Sequence, residues 1–150
     1  MTATDTTWAI WVLVNLPRAL RARFREVDAV FRLGGEEFLV LMSGADEQSL
    51  LRRLADVRRV VGRPVDLHKL DAPAIGFSAG VATLPADGPD FESIYRAADT
   101  RLLQAKSDGR DRVVTGRHSI PWIDLGVPGA PGAGSGAICP NRLPETDPEA

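Results

Sequence analysis

The glycine pair at residues 34 and 35 constrains the fold most, because it lies between two apolar segments rich in β-formers. "AVFRL" precedes the pair, and "EFLVLM" follows one residue after it. Glycine reaches positive φ without steric cost, so this pattern predicts a tight β-hairpin. Adjacent strand residues point to opposite faces, so Glu36 and Glu37 cannot both be incidental surface charges if the sheet is covered on one side. Carboxylates beside exposed backbone N–H groups also suit Mg²⁺ and a nucleotide, and the loop by itself leaves both interpretations open.

The hydrophobic periods around the hairpin alternate between those of helices and strands. Asn15 and Pro17 predict the start of one helix, and a second is expected from about Ala45 to Val61. Asp90 can cap a third helix. The apolar face of this third helix is predicted to contain Phe91, Ile94, Tyr95, Ala98 and Leu102. Further strands are predicted at "VDLHKL", at "AIGFSAGVATL" in the centre of the sheet, and at "RVVT". These elements predict an α/β sandwich with a mainly antiparallel sheet flanked by helices.

The composition restricts the compartment and the partners. The net charge of −2 gives no argument for nucleic acid, and Cys139 is the only cysteine, so no intrachain disulfide can form. The apolar segment Trp8–Val14 is too short to span a bilayer. From Gly116 onward the chain is rich in Gly and Pro and has no hydrophobic period, so residues 116–150 are predicted to be a disordered tail. We expect a cytoplasmic protein, or one tethered through a partner, with no membrane segment in this chain.

Two pairs of charged residues are candidate binding groups. Arg25 and Asp28 in "REVD" can form a modest surface ion pair, or can bind the edge of a guanine base. An extended chain places them roughly 20 Å from the glycine turn, so they would form a separate site. Lys106 and Arg110 can be favourable cations at a helix C-terminus, or can hold a triphosphate.

Several of these motifs together resemble the GGDEF family of bacterial diguanylate cyclases. "RLGGEEF" is similar to the family signature in its Glu-for-Asp variant, and "REVD" resembles the RxxD motif for product inhibition. "FSAGVATLPADG" and "RAADTRLLQAKSDGRDRV" are similar to the family's central strand and terminal helix. The resemblance covers roughly Ala19 to Val114 and implies the palm-like fold of the nucleotide cyclases.

The resemblance also implies a reaction and a set of functional residues. In the family, two domains each bind GTP, and each 3′-hydroxyl attacks the other α-phosphate to give cyclic di-GMP and pyrophosphate. Activity thus needs a homodimer or a second GGDEF domain, with Mg²⁺ or Mn²⁺. The resemblance implies that Glu36 and Glu37 bind the metal ion and that Glu36 is also catalytic. Phosphate binding is implied for Gly34, Gly35, Lys106 and Arg110. Arg25 and Asp28 are implied to bind inhibitory cyclic di-GMP.

The sequence departs from the family before the signature. The family has a first strand with a metal-binding Asp about 40 residues upstream, and "MTATDTTWAIWVLVN" does not show that pattern. The expected organisation is a divergent segment at 1–15, a partial, N-terminally truncated GGDEF domain at 16–115, and the tail at 116–150. We expect a cyclase-type domain that is inactive by itself. The alternatives are a degenerate cyclic di-GMP sensor and a non-functional gene remnant.

Overall fold

The computed structural model describes residues 16–62, 66–67, 70–71 and 76–127. The chain forms two compact units, Met1–Ile75 and Gly76–Ala150. The predicted apolar segment Trp8–Val14 and the single cysteine, Cys139, lie outside the described residues.

In its described residues, the first unit contains two helices and two antiparallel strand pairs. Its elements are helix α1 at residues 16–23, strands β1 (Ala29–Gly34) and β2 (Glu37–Leu41), helix α2 (Glu47–Val61), and the short strands β3 (Asp66–Leu67) and β4 (Leu70–Asp71). β1 pairs with β2, and β3 pairs with β4. The segment "VDLHKL", predicted to be a single strand, thus contributes to a small antiparallel pair.

Helix α2 begins at Glu47, close to the expected start at about Ala45. The side chain of Asp46 accepts a hydrogen bond of 2.7 Å from the backbone N–H of Ser49, which satisfies one of the unpaired N–H groups of the first turn. The helix buries an apolar face made of Leu51, Leu54, Ala55, Val57 and Val61. Arg58 is also buried, with its guanidinium against Gly62, and the sequence pattern did not predict this.

The β1–β2 hairpin is more exposed than its composition predicts. Residues 38–41 of strand β2 are only partly buried, and Phe31 and Leu33 of β1 are each 49% exposed. Within the described residues the hairpin forms a two-stranded sheet of its own, so neither strand has partners on both sides. A two-stranded sheet buries little apolar surface, which accounts for the exposure.

The second unit packs a long helix on a three-stranded sheet. Its elements are β5 (Ala79–Gly80), α3 (Phe91–Ser107), β6 (Arg112–Val114), β7 (Ser119–Pro121) and a 3₁₀ helix, η1, at Trp122–Leu125. β6 pairs in parallel with β5 and antiparallel with β7. The predicted central strand is therefore a short strand at the edge of this sheet, as far as the described residues show.

The segment predicted to be a disordered tail is ordered in its first part. Residues 119–125 form β7 and η1, and Trp122 and Val127 are buried in the second unit. The prediction of disorder was wrong for residues 116–127, because Ile120 pairs with Val113 and Trp122 contributes a large apolar side chain to the core. Residues 128–150 lie outside the described part of the chain.

Helix α3 begins at its predicted cap, but its buried face differs from the prediction. Asp90 accepts a hydrogen bond of 2.9 Å from the N–H of Ser93. Phe91 and Tyr95 are 52% and 39% exposed, which contradicts their assignment to the apolar face. The helix lies so close to β5 that a Cβ on Gly80 would be 2.0 Å from the carbonyl oxygen of Ala98.

The architecture confirms the predicted α/β class with mainly antiparallel pairing. Across the described residues, we find no helix that is both long enough and apolar enough to cross a bilayer.

Candidate functional site

The turn of the β1–β2 hairpin carries the glycine and glutamate signature. Gly34 has φ 150° and Gly35 has φ 52°, so both adopt the positive φ that the sequence predicted. Gly34 pairs with Glu37 across the turn, and the register shifts between Arg32 and Gly34. This shift is a β-bulge, which bends the end of the strand. Residues 34–37 are all exposed, so the turn presents its backbone and both carboxylates at the surface.

Arg32 supports this turn in a way that the sequence motifs did not indicate. Its Nε and a terminal nitrogen donate to the carbonyl oxygen of Gly35 at 3.1 and 2.7 Å. A cation bound to the turn carbonyl holds the backbone of the loop in one conformation. The spacing of three residues between an arginine and a turn glycine is the signal that could have identified it.

The chemistry of Glu36 and Glu37 fits one part of a magnesium site. Mg²⁺ takes oxygen ligands and is commonly held by one or two carboxylates together with substrate phosphates and water. Both carboxylates are on the exposed turn. The described residues contain no cluster of three or more His, Cys, Asp or Glu side chains that could enclose a metal ion. The turn can therefore contribute two ligands but does not form a complete protein cage.

Arg25 and Asp28 lie at the opposite end of β1 from the glycine turn. The backbone N–H of Arg25 donates to Asp28 Oδ2 at 2.8 Å, and its guanidinium contacts Oδ1 at 3.4 Å. The same guanidinium donates to the carbonyl oxygen of Ser43 at 2.6 Å. The side chain of Asp28 is fully buried, whereas that of Arg25 is 46% exposed. The structure thus brings the pair together and makes Arg25 the more accessible partner.

Arg53 of α2 is a third member of this group, and the sequence reasoning missed it. Its NH1 group donates to Asp28 Oδ2 at 3.2 Å and contacts the carbonyl oxygen of Arg23 at 3.4 Å. The guanidinium lies 6.0 Å from the centroid of the Phe24 ring. Arg53 is distant from the RxxD motif in sequence, so only the packing of α2 reveals it.

The two arginines also determine the ionisation of Asp28. Burial raises the pKa of Asp28. Hydrogen bonds from the backbone and side chain of Arg25 lower the pKa, as do the charges of Arg25 and Arg53, and together they outweigh the effect of burial. The net pKa of Asp28 therefore lies below the usual aspartate value, and the carboxylate is charged at neutral pH.

A pocket of about 340 Å³ lies beside this pair. It is lined by Arg21, Phe24, Arg25, Glu26, Asp28 and Val30. The pocket combines arginine donors with an aromatic ring and apolar surface, a mixture suited to a ligand that carries both phosphate and a planar base.

In the second unit, Lys106 and Arg110 lie at the C-terminal end of α3. Lys106 is in the last turn, and the helix is capped at Asp108. Gly109 has φ 116°, and the positive φ continues through Arg110 at 62° and Asp111 at 48°. Two successive L-residues in this region are unusual, and such strain is concentrated at functional sites.

Comparisons with known proteins identify the family of this chain. A family model described as "Diguanylate cyclase, GGDEF domain" matches residues 11–112. The chain belongs to the GGDEF-domain family. Its signature turn, "GGEEF", is the same as the one named for a solved structure of "the active GGEEF domain of a diguanylate cyclase" from Vibrio cholerae. That structure matches with a TM-score of 0.62 and 27% identity, and the match covers 72% of this chain and 68% of that one.

Two curated relatives come from Escherichia coli. Diguanylate cyclase DgcM is 36% identical over 103 residues, and diguanylate cyclase DosC is 31% identical over 110 residues. These matches cover 69% and 73% of this chain, but 24% of each relative. The chain thus spans about a quarter of the length of these relatives.

Proposed function

We propose that this chain is a diguanylate cyclase-type domain of cyclic di-GMP signalling that binds GTP with Mg²⁺ or Mn²⁺. The observation that supports this most strongly is the exposed hairpin turn, which presents Glu36 and Glu37 beside a backbone held at positive φ. In this proposal Glu36 and Glu37 hold the metal ion, and Glu36 also assists deprotonation of the attacking 3′-hydroxyl. A bound metal ion would neutralise phosphate charge.

The backbone around Gly34 and Gly35 would lie against the phosphates. Glycine suits this role because it has no side chain to block a close approach, and an added Cβ at either position would meet no protein atom within 4 Å. Lys106 and Arg110 would bind the triphosphate as cations. These assignments follow the family signature residue by residue.

We further propose that these 150 residues do not convert GTP by themselves. The turn supplies two carboxylates, and the described residues show no third metal-binding group near them. In the family a further metal-binding Asp precedes the signature, and "MTATDTTWAIWVLVN" does not show that pattern, so this carboxylate would have to come from elsewhere. A homodimer or a second GGDEF domain would supply the other GTP. We place the domain in the bacterial cytoplasm, where GTP is available.

Turnover of GTP tests this proposal. The purified chain is incubated with GTP and Mg²⁺, then with Mn²⁺, and cyclic di-GMP is measured by mass spectrometry beside a Glu36→Ala control. We expect no product above the control. Product that depends on Glu36 would contradict the proposed inactivity and would show that these residues already contain a complete site.

A second candidate function is cyclic di-GMP binding at Arg25 and Asp28. The pocket beside this pair supports it, since Arg25 and Phe24 line the same space. Arg25 would contact the ligand directly because its side chain is partly exposed, whereas buried Asp28 would hold Arg25 in position.

A titration with cyclic di-GMP tests this second function. Arg25→Ala should abolish saturable binding, and Arg18→Ala is a charge-matched control, because Arg18 is an exposed arginine of α1 that does not line the pocket. Equal affinity of the wild-type chain and Arg25→Ala would eliminate this site.

A further inference from the structure

We propose that three residues, Arg112, Ser119 and Trp122, clamp the turn that carries Arg110 and thereby position Arg110 for phosphate binding. Two of them, Ser119 and Trp122, follow the part of the chain that the family model matches, which ends at residue 112. The inference rests on the proposed function, because it requires Arg110 to be a phosphate-binding residue.

The turn needs such support because its backbone is strained. Arg110 and Asp111 are the only non-glycine residues with positive φ in the described parts of the chain. Residues with a Cβ avoid this region, so the conformation persists only where surrounding contacts determine it. On the helix side, the N–H of Arg110 donates to the carbonyl oxygen of Ala105 at 2.9 Å.

Arg112 and Ser119 support the turn through side chains. Nε of Arg112 donates to the carbonyl oxygen of Arg110 at 3.3 Å, and its guanidinium lies over Gly109, where a Cβ would be 3.3 Å from NH2. Oγ of Ser119 donates to Asp108 Oδ2 at 2.9 Å and accepts a long contact of 3.5 Å from Arg112. These contacts connect the helix cap, the turn and β7.

Trp122 anchors the same turn through its backbone. Its N–H donates to the carbonyl oxygen of Asp111 at 3.3 Å. The indole is fully buried, donates from Nε1 to the carbonyl oxygen of Phe77 at 2.6 Å, and lies 5.0 Å from the Phe77 ring. A rigid, buried residue therefore holds one end of the turn, while the helix holds the other.

The consequence is a phosphate-binding arginine whose backbone is fixed before the ligand arrives. Fixing a binding group in advance reduces the entropy lost on binding and raises affinity. Loss of the clamp should therefore weaken GTP binding even though Lys106 and Arg110 remain.

The test compares GTP affinity, measured by calorimetry with Mg²⁺, among variants of the 150-residue chain. Ser119→Ala removes the hydroxyl contacts without changing the charge. Arg112→Ala removes the hydrogen bond to the carbonyl oxygen of Arg110. Each substitution should weaken GTP binding at least about threefold. Ser119→Thr keeps a hydroxyl and should restore wild-type affinity. Arg117→Ala is the charge-matched control for Arg112→Ala, because Arg117 is an exposed arginine of the β6–β7 connection.

Amide hydrogen exchange separates positioning from general destabilisation. In Ser119→Ala and Arg112→Ala, exchange should accelerate at the amides of Arg110 and Trp122 and stay unchanged within the body of α3. Faster exchange throughout α3 would overturn the inference, since the affinity loss would then reflect unfolding.

The calorimetry also distinguishes the two possible failures. A wild-type chain that binds no GTP refutes the proposed function and removes the phosphate role of Arg110. The clamp alone is refuted by a different set of results: the wild-type chain binds GTP, Arg110→Ala binds it more weakly, and Ser119→Ala and Arg112→Ala both bind it as tightly as the wild type.

Discussion

Replacement of Asp28 by alanine should destabilise the first unit, because the carboxylate has lost its access to water and depends on protein donors. Its side chain is fully buried and accepts bonds of 2.8 Å from the Arg25 N–H and 3.2 Å from Arg53, with a weaker contact of 3.4 Å to the Arg25 guanidinium. Hydrogen bonds to a charged group contribute about 1.5–3 kcal/mol each to stability. The bond from Arg53 contributes less than a fully buried one, because its side chain is 27% exposed and solvent screens the charge. We expect a loss of about 2–4 kcal/mol in the free energy of unfolding.

Urea unfolding monitored by far-UV circular dichroism measures this loss. Asp28→Asn keeps one carbonyl acceptor in the same place and should lose roughly half as much free energy of unfolding. Glu26→Ala changes an exposed carboxylate of the same segment and should stay within about 0.5 kcal/mol of wild type. A loss below about 1 kcal/mol for Asp28→Ala would refute the reasoning, because the buried bonds would then contribute no more than surface contacts.

This prediction also bears on the interpretation of the RxxD motif. If Asp28 stabilises the unit, a loss of cyclic di-GMP binding in Asp28→Ala reports altered structure rather than a missing ligand contact. Arg25 is the better residue for a test of binding, because its side chain is partly exposed and faces the pocket.

Three further perturbations test other parts of the structure. Gly80→Ala places a Cβ 2.0 Å from the carbonyl oxygen of Ala98, so it should destabilise the second unit by about 3 kcal/mol. Thermal unfolding measures this loss, and an unchanged Tm would contradict the close packing of α3 on β5. Arg32→Ala removes both bonds to Gly35 and should weaken GTP binding with Mg²⁺ about threefold, whereas equal affinity would show that the turn needs no support. Hydrogen bonds from Arg101 lower the pKa of Asp87 against the opposing effect of burial. The ionised carboxylate therefore stabilises the fold fully at pH values above the ordinary aspartate pKa of about 3.9, and this stabilisation is lost as the pH falls through the lower pKa of the folded state. Tm should therefore fall less in Asp87→Asn than in the wild-type chain as the pH is lowered below about 4, and parallel curves would contradict the assignment.

The hairpin and the helix starts could be predicted from the sequence, because each depends on a local signal. Gly34 and Gly35 have the positive φ that a tight turn needs, and Asp90 accepts the expected bond from the N–H of Ser93. Local signals of this kind act over a few residues, so the sequence contains the whole interaction.

The parts that escaped prediction depend on contacts between distant residues. Arg53 joins Asp28 from 25 positions away, and Trp122 joins Phe77 from 45 positions away. The Gly and Pro content after residue 116 obscured β7, whose residues pair with β6 only once the chain has turned back. Exposure of Phe91 and Tyr95 was missed for the same reason, since periodicity shows which residues share a face but not what covers that face.

The most direct test of the central claim is the dependence of GTP affinity on Mg²⁺, measured by calorimetry for the wild-type chain and Glu36→Gln. If the signature turn holds a metal ion against the phosphates, the wild-type chain should bind GTP at least about tenfold more tightly with Mg²⁺ than with EDTA. Glu36→Gln should lose most of that difference. The assignment of the turn as a metal and nucleotide site would be contradicted if the wild-type chain bound GTP equally well with Mg²⁺ and with EDTA. It would also be contradicted if Glu36→Gln kept the full gain in GTP affinity from Mg²⁺.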